Sequence, residues 1–423
     1  MVPEFIRYGK EFQRIGLLKI LVAVLDPQRR SAASEQINRK FLQILAEEKS
    51  VEMTKAQQLL RDADNPSWNF YFTRATVGQI LEWGKLIGFV GSGNQITESG
   101  LLLRSIMSER AISSIVKGNS EINPFHLTLE EKLYFLYRHL EADTPLYFLI
   151  KKLATIPDGP ISGISGDRLV CFALFDTYKM ISERHGYSSF SLVTLKNLRG
   201  LIGKMVGELD LESEIPIRLP AQPVPLSILK ARPEQRHKKR TKTSDHEAIP
   251  RLEFLTDIGF LVKRPDEGQN EDIEIARKAW RYWVTPLLIE FSKKLPDTFA
   301  VDFYWIQFAG AAAAFLNGDV RRLQSGSDSV EIARRAYSSY AEVKRSFGHT
   351  PVESVAVLAM IRSLAGSDIL EVKDVHELFL GYKQNNILPE TVRFAAGNEL
   401  DKMFIYIKPS FISDLEKLYG DKQ

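Results

Sequence analysis

A ten-residue pattern occurs twice in this chain, and that repeat limits what the chain can fold into. Leu81-Glu82-Trp83-Gly84-Lys85-Leu86-Ile87-Gly88-Phe89-Val90 aligns without gaps with Leu252-Glu253-Phe254-Leu255-Thr256-Asp257-Ile258-Gly259-Phe260-Leu261. Leu, Glu, an aromatic ring, Ile, Gly, Phe and a closing aliphatic residue hold the same places in both. Each copy runs on to a β-branched residue followed by threonine, Ile96-Thr97 in the first and Val284-Thr285 in the second. An aliphatic-rich helix comes next each time, Leu101 to Met107 and Leu287 to Phe291.

Val77, Ile80, Leu81, Gly84 and Ile87 fall at helical spacing, which predicts an amphipathic helix over residues 74–87 with one buried stripe. Gly88 can take the left-handed conformation that stops a helix, and Phe89 then continues in an extended form. Gly91-Ser92-Gly93-Asn94 has turn chemistry, and Gln95-Ile96-Thr97 is a candidate return strand. Helix, glycine stop, short hairpin and helix is the order of a winged helix-turn-helix. Both copies resemble the recognition-helix and wing half of winged-helix domains. With the helices ahead of each copy, the resemblance covers about half of the chain.

The resemblance implies a mainly α fold with two winged-helix domains joined by helical regions. Its domain plan is an N-terminal helix in 1–29, a winged-helix domain in 30–112, a helical connector in 113–189, a second winged-helix domain in 190–295 and a C-terminal helical region in 296–423. In that last region, helices at 351–365, 372–382 and 389–396, a strand at 403–407 and a terminal helix repeat the module order, so a third winged helix is a further expectation. Other helices are expected over 5–25, 34–48, 56–62, 167–185, 191–209, 301–315 and 330–347. A helical run from Thr128 to Leu153 should break near Asp143-Thr144-Pro145, and 157–166 should be a loop. Pro250 is placed near the start of the second module's helix.

Charge is nearly balanced, 56 basic against 53 acidic residues for a net +3, so contact with nucleic acid must come from local patches. The most basic stretch lies in a linker at 226–245 and includes Lys230, Arg232, Arg236, Lys238, Lys239, Arg240 and Lys242. It reads either as a solvated linker or as an arm that tracks phosphates into the second module. The second wing carries Asp266, Glu267, Glu271, Asp272 and Glu274, which would repel phosphate. On the first recognition helix, Arg74, Gln79 and Lys85 lie off the apolar stripe, in reach of base edges or phosphates. The shared glutamates, Glu82 and Glu253, read as structural hydrogen-bonding groups within each module.

The sequence holds no phosphate-binding glycine loop, no dinucleotide fingerprint and no His-Glu-x-x-His, and its seven histidines include no i, i+4 pair. A lone cysteine, Cys171, sits in an apolar run and reads as a buried, inert thiol. Two Glu-x-Lys strings could belong to a metal-dependent nuclease, Glu342-Val343-Lys344 and Glu371-Val372-Lys373. The first lies in a helical run, and the second has Asp368 too close upstream to sit on a separate strand. Neither a metal nor a small-molecule cofactor is expected.

No apolar run reaches the roughly 20 residues of a membrane span. Glu4 and Glu11, with no small-residue cleavage site, predict no signal peptide, so the expected location is cytoplasmic. By resemblance, the chain is a non-enzymatic subunit that binds or specifies double-stranded DNA alongside other protein subunits, as in prokaryotic restriction or antiviral defence systems. The alternative is a scaffold whose modules bind proteins, and the least favoured is a nuclease.

Overall fold

A computed structural model describes residues 6, 8, 14–28, 34–45, 74–117, 122–156, 159–184, 189–216, 242–265, 280–297, 299, 306–316, 318–324, 327–385, 387–395 and 403–420. These residues are mainly helical. The first helices are α1 (Gly16–Val24), α2 (Ser34–Leu45), α3 (Arg74–Leu86), α4 (Glu98–Ile106), α5 (Glu109–Lys117) and α6 (Leu129–Ala142). After them come α7 (Thr144–Leu153), α8 (Gly163–Arg184), α9 (Ser189–Leu209), α10 (Lys242–Ile258) and α11 (Pro286–Lys294). The last are α12 (Phe308–Ala312), α13 (Ser329–Phe347), α14 (Val352–Ala365), α15 (Val372–Gln384) and α16 (Phe411–Gly420). Strands are short: β1 (Ile161–Ser162), β2 (Leu261–Pro265), β3 (Trp280–Val284), β4 (Arg321–Arg322), β5 (Asp368–Ile369), β6 (Val392–Ala395) and β7 (Phe404–Ile407).

The chain divides into two compact units, each assembled from separated stretches. Met1–Ile15, Val51–Trp83 and Arg138–Ser292 make the first, and Gly16–Ser50, Gly84–Tyr137 and Lys293–Gln423 the second.

In the first unit α8 is the central element: α7 and α9 pack along it, and α10 packs against both α8 and α9. Val170, Cys171, Ala173 and Leu174 of α8 are buried in that core. Burial pushes the Cys171 thiol up to about 12, which keeps it protonated and inert, as its apolar surroundings predict. The sheet order is β1-β3-β2, all antiparallel, with Ile161 opposite Tyr282 and Leu261 opposite Val284. The two-residue period puts Tyr282 and Lys263 on the packed side and Val262 and Arg264 on the open side. Pro265 closes β2 on the sheet edge, where its missing N–H costs no ladder bond.

In the second unit α1 is apolar on every side except at Lys19, and all nine of its residues are buried. Lys19 is accommodated because its ammonium meets both oxygens of Glu131, at 2.8 and 2.9 Å, and donates to the carbonyl of His126. Helices α13, α14 and α15 pack on one another, and α4 packs on α13 and α14. β6 and β7 form an antiparallel hairpin with Val392 opposite Ile407, and Pro351, just ahead of α14, bridges to Phe404 on β7. In both units, then, a short extended segment ahead of a helix pairs with the second strand of a later hairpin.

The mainly α expectation holds, and the helical run breaks at Asp143 as its proline predicts. Four local readings are corrected. Residues 392–395 are a strand, not the end of a helix over 389–396. Val392, Arg393, Phe394 and Ala395 pair with 404–407, and that ladder outweighs the weak helical preference of so short a stretch. Pro250 lies well inside α10, where it forfeits one helical hydrogen bond. Helix α8 starts at Gly163, within the expected loop, and the return strand at 95–97 is a single bridge between Val90 and Ile96. The expected helix at 56–62 lies outside the described residues, as do 301–305 of the helix expected over 301–315.

Candidate nucleic-acid interface

The repeated motif builds the same turn in both places, down to individual hydrogen bonds. Gly88 and Gly259 sit at φ 83° and 94°, a conformation that favours glycine. The Phe89 N–H donates to Gly84 and the Phe260 N–H to Leu255, each at 2.8 Å. Thr97 and Thr285 then lock the exit. Each hydroxyl donates to the glycine carbonyl, each N–H donates to the phenylalanine carbonyl at 3.1 Å, and each Oγ1 accepts an N–H from the first turn of the next helix. Ile87, Ile258, Phe89 and Phe260 are all buried. The aromatic residues of the motif, Trp83 and Phe254, both pack on the buried ring of His139, with centroids at 5.9 and 4.0 Å.

What differs is the outer side of the two helices. On α3 the residues Val77, Ile80, Leu81, Trp83, Gly84 and Ile87 are buried, while Gly78, Glu82 and Leu86 are exposed and Gln79 and Lys85 half-buried. At about 100° per residue these five fill one continuous arc, with Lys85 and Gln79 near its edges and Glu82 between them. Arg74 opens the helix, and its side chain lies outside the described residues. So do Arg236, Lys238, Lys239 and Arg240 of the basic linker and the acidic wing at 266–274.

On α10 none of the corresponding positions is exposed: Pro250 and Glu253 are buried and Ile249, Thr256 and Asp257 half-buried, while Arg251 takes the place of buried Ile80 on the opposite side of the helix. Arg251 is 0% exposed, and its guanidinium uses all five N–H donors. Two go to Asp143 at 2.8 Å, two to the Glu247 carboxylate and carbonyl at 3.0 and 2.9 Å, and one to the Ile6 carbonyl at 3.0 Å. The Tyr8 ring lies 4.7 Å from the guanidinium carbon, and the Ile6 N–H donates to Asp143. Desolvation works against the charge on Arg251, but Asp143 and Glu247 more than offset it and hold its pKa above the ordinary guanidinium value. Six residues further on, Arg14 grips Asp257 through both carboxylate oxygens, and the Ile15 N–H donates to the same group. Burial pushes the Asp257 carboxyl up, against the pull of Arg14. Ile6, Tyr8, Arg14 and Ile15 therefore hold α10 at two places, at Arg251 on its core side and at Asp257, the counterpart of Leu86. Glu253 is also enclosed, accepting from the Tyr282 hydroxyl and from Lys263, as the structural reading of that glutamate predicts. Glu82, its counterpart, is exposed.

Neither Glu-x-Lys string forms a metal site, and no cluster of three or more metal-ligating side chains occurs among the described residues. Glu342 lies in α13 and pairs with Arg362. Glu371 caps α15 and also accepts the N–H groups of Ala309 and Gly310 at the start of α12. A cleft of about 1040 Å³ in the second unit is lined by Lys19, Arg104, Arg362 and several glutamates. Three of its basic groups already have partners: Lys19 with Glu131, Arg362 with Glu130 and Glu342, Arg104 with carbonyls at the end of α1.

One basic and aromatic surface escaped the sequence reading. On the open face of the β6–β7 hairpin, Arg393 stands opposite Tyr406, and the Lys344 ammonium lies 4.6 Å from the Tyr406 ring centre. Its trace in the sequence was the strand expected at 403–407, whose partner at 392–395 was read as helix.

No helix among the described residues is long and apolar enough to cross a membrane. Comparison with protein-family models, curated proteins and solved structures gave no match.

Proposed function

We propose that the chain is a DNA-binding subunit whose two repeated modules are of the winged-helix type and have divided their roles. The first module reads duplex DNA through α3, and the second serves as a packing element. The carrying observation is the contrast between the copies: α3 exposes Gly78, Glu82 and Leu86, with Gln79 and Lys85 half-buried beside them, whereas none of their counterparts on α10 is exposed and Asp257 is held by Arg14 and Ile15. The β1-β3-β2 sheet, in which the segment ahead of a helix pairs with the second hairpin strand, is consistent with winged-helix topology, as is the bridge from Pro351 to Phe404. In this reading Gln79 contacts a base edge, Lys85 and Arg74 contact phosphates, and the linker cations Arg236, Lys238, Lys239 and Arg240 add backbone contacts. Any chemistry belongs to other subunits of a restriction or defence assembly.

Anisotropy titration of labelled duplex DNA against salt tests this. Each phosphate contact contributes roughly 0.9 to the log–log slope, so neutralising Lys238, Lys239 and Arg240 should lower affinity and slope together. Gln79→Ala should instead relax sequence preference, by about 1–3 kcal/mol at one base pair. The second reading, a scaffold that binds only proteins, is favoured by the sealed face of α10. It predicts weak duplex binding at physiological salt, no response to either change and a stable co-purifying partner.

A further inference from the structure

We infer that the open face of the β6–β7 hairpin is a binding surface for unpaired nucleic acid, one that stacks a base on Tyr406 and holds phosphate with Lys344 and Arg393. The three residues come together because α13 delivers Lys344 to the hairpin while the register sets Arg393 beside Tyr406. Tyr406 is 49% exposed although it lies mid-strand between buried Ile405 and Ile407. A groove of about 420 Å³ runs along this face, lined by Lys344, His349, Arg393, Phe394, Phe404 and Tyr406 among others. That volume lies within the range of small-ligand sites. No carboxylate is among its lining residues. Among the described residues, Glu390 lies 3.9 Å from Arg393 and is itself 86% exposed, and Glu98 meets His349 at 2.9 Å.

Exposed aromatic rings flanked by cations are how sequence-tolerant proteins hold single strands, since every base has a π-face and every nucleotide a phosphate. Bases stacked inside a duplex offer no face to Tyr406, so the geometry favours an unpaired strand. An acidic peptide would satisfy Lys344 and Arg393 but leave the exposed ring unused. The inference rests on the nucleic-acid reading of the chain but uses residues that the duplex-reading helix does not share.

The experiment is anisotropy titration of the full chain with a labelled single-stranded thymidine oligonucleotide and, separately, with labelled duplex. Tyr406→Ala and the double change Lys344→Glu/Arg393→Glu should each weaken single-strand binding about tenfold or more while shifting duplex affinity less than twofold. Tyr406→Phe keeps the ring and should bind as the parent does, which separates stacking from a folding defect. Unchanged single-strand affinity in both altered proteins overturns the inference. So does an equal loss on duplex, which would make the hairpin a duplex contact, and so does polyglutamate competing as well as DNA, which would point to an acidic protein. Single-strand binding that responds to Tyr406, with no duplex binding at all, would instead sink the role given to α3 and leave this surface standing.

Discussion

Replacing Arg251 with methionine removes the guanidinium that bonds two buried carboxylates, Asp143 and Glu247. The side chains of Arg251, Asp143 and Glu247 are 0, 0 and 3% exposed, so water cannot take over the lost contacts. Breaking a buried pair by deleting one partner typically costs about 3–5 kcal/mol, because the remaining charge is stranded. Here two carboxylates lose their cation and the Ile6 carbonyl loses a donor, which puts the expected cost at the upper end, about 4–5 kcal/mol. Methionine fills much of the vacated volume, so the loss is electrostatic rather than a cavity effect. Lysine cannot rescue it, since three donors cannot replace a fork of five. Hydrogen exchange at the amides of α10 is the suitable assay, because it reads local opening and does not require the whole chain to unfold in one step. Protection there should fall by about three orders of magnitude, and the Ile6 amide, which donates to Asp143, should lose protection with it. Adding Asp143→Asn to Arg251→Met should recover part of the loss. A single variant within 1 kcal/mol of the parent, with the Ile6 amide still protected, would refute the assignment of this cluster as a clasp on α10.

Gly88→Ala and Gly259→Ala should each cost about 1–2 kcal/mol, read from urea midpoints, because both force a side chain into left-handed backbone. Gly100→Ala should be worse than either, since its Cβ would lie 2.4 Å from the Phe89 carbonyl oxygen, whereas Gly78→Ala meets nothing within 4 Å and should stabilise α3 by up to about 1 kcal/mol. Two buried groups give opposing pH effects. Burial pushes Glu371 up to about 7, against the backbone donors that favour its anion, and pushes His376 down to about 4. The Glu371 contribution is present at low pH and is lost as pH rises from about 4.5 to 7; the His376 contribution is lost as pH falls from about 6.5 to 4, each on the order of 3 kcal/mol. The two nearly cancel across their shared window, so Glu371→Gln should expose a loss of stability on acidification below pH 6.5 and His376→Phe a loss on raising the pH toward 7. Flat profiles in both variants, measured by denaturation midpoint across that range, would count against these buried positions.

The local turn needed no tertiary information. Glycine followed by phenylalanine, then threonine at the exit, encodes a helix stop, an extended exit and a cap through bonds that span few residues, and both copies form it. Helical periodicity likewise marked which side of α3 is buried, since apolar spacing and burial report the same stripe. Long-range partnership left no such trace. Arg251 and Asp257 look like surface residues of an amphipathic helix, yet their partners lie 108 and 243 residues away, at Asp143 and Arg14. A charge records its own cost of burial but not the position of the group that neutralises it, so the sealing of α10 was not readable from the helix itself. The hairpin at 392–407 failed for a related reason. Four residues are too few to show a period, and only pairing with Phe404–Ile407 decides between strand and helix. Which helix of the repeat keeps exposed residues on its outer arc was therefore decided by what the fold laid over each, after the sequence had made the two motifs nearly alike.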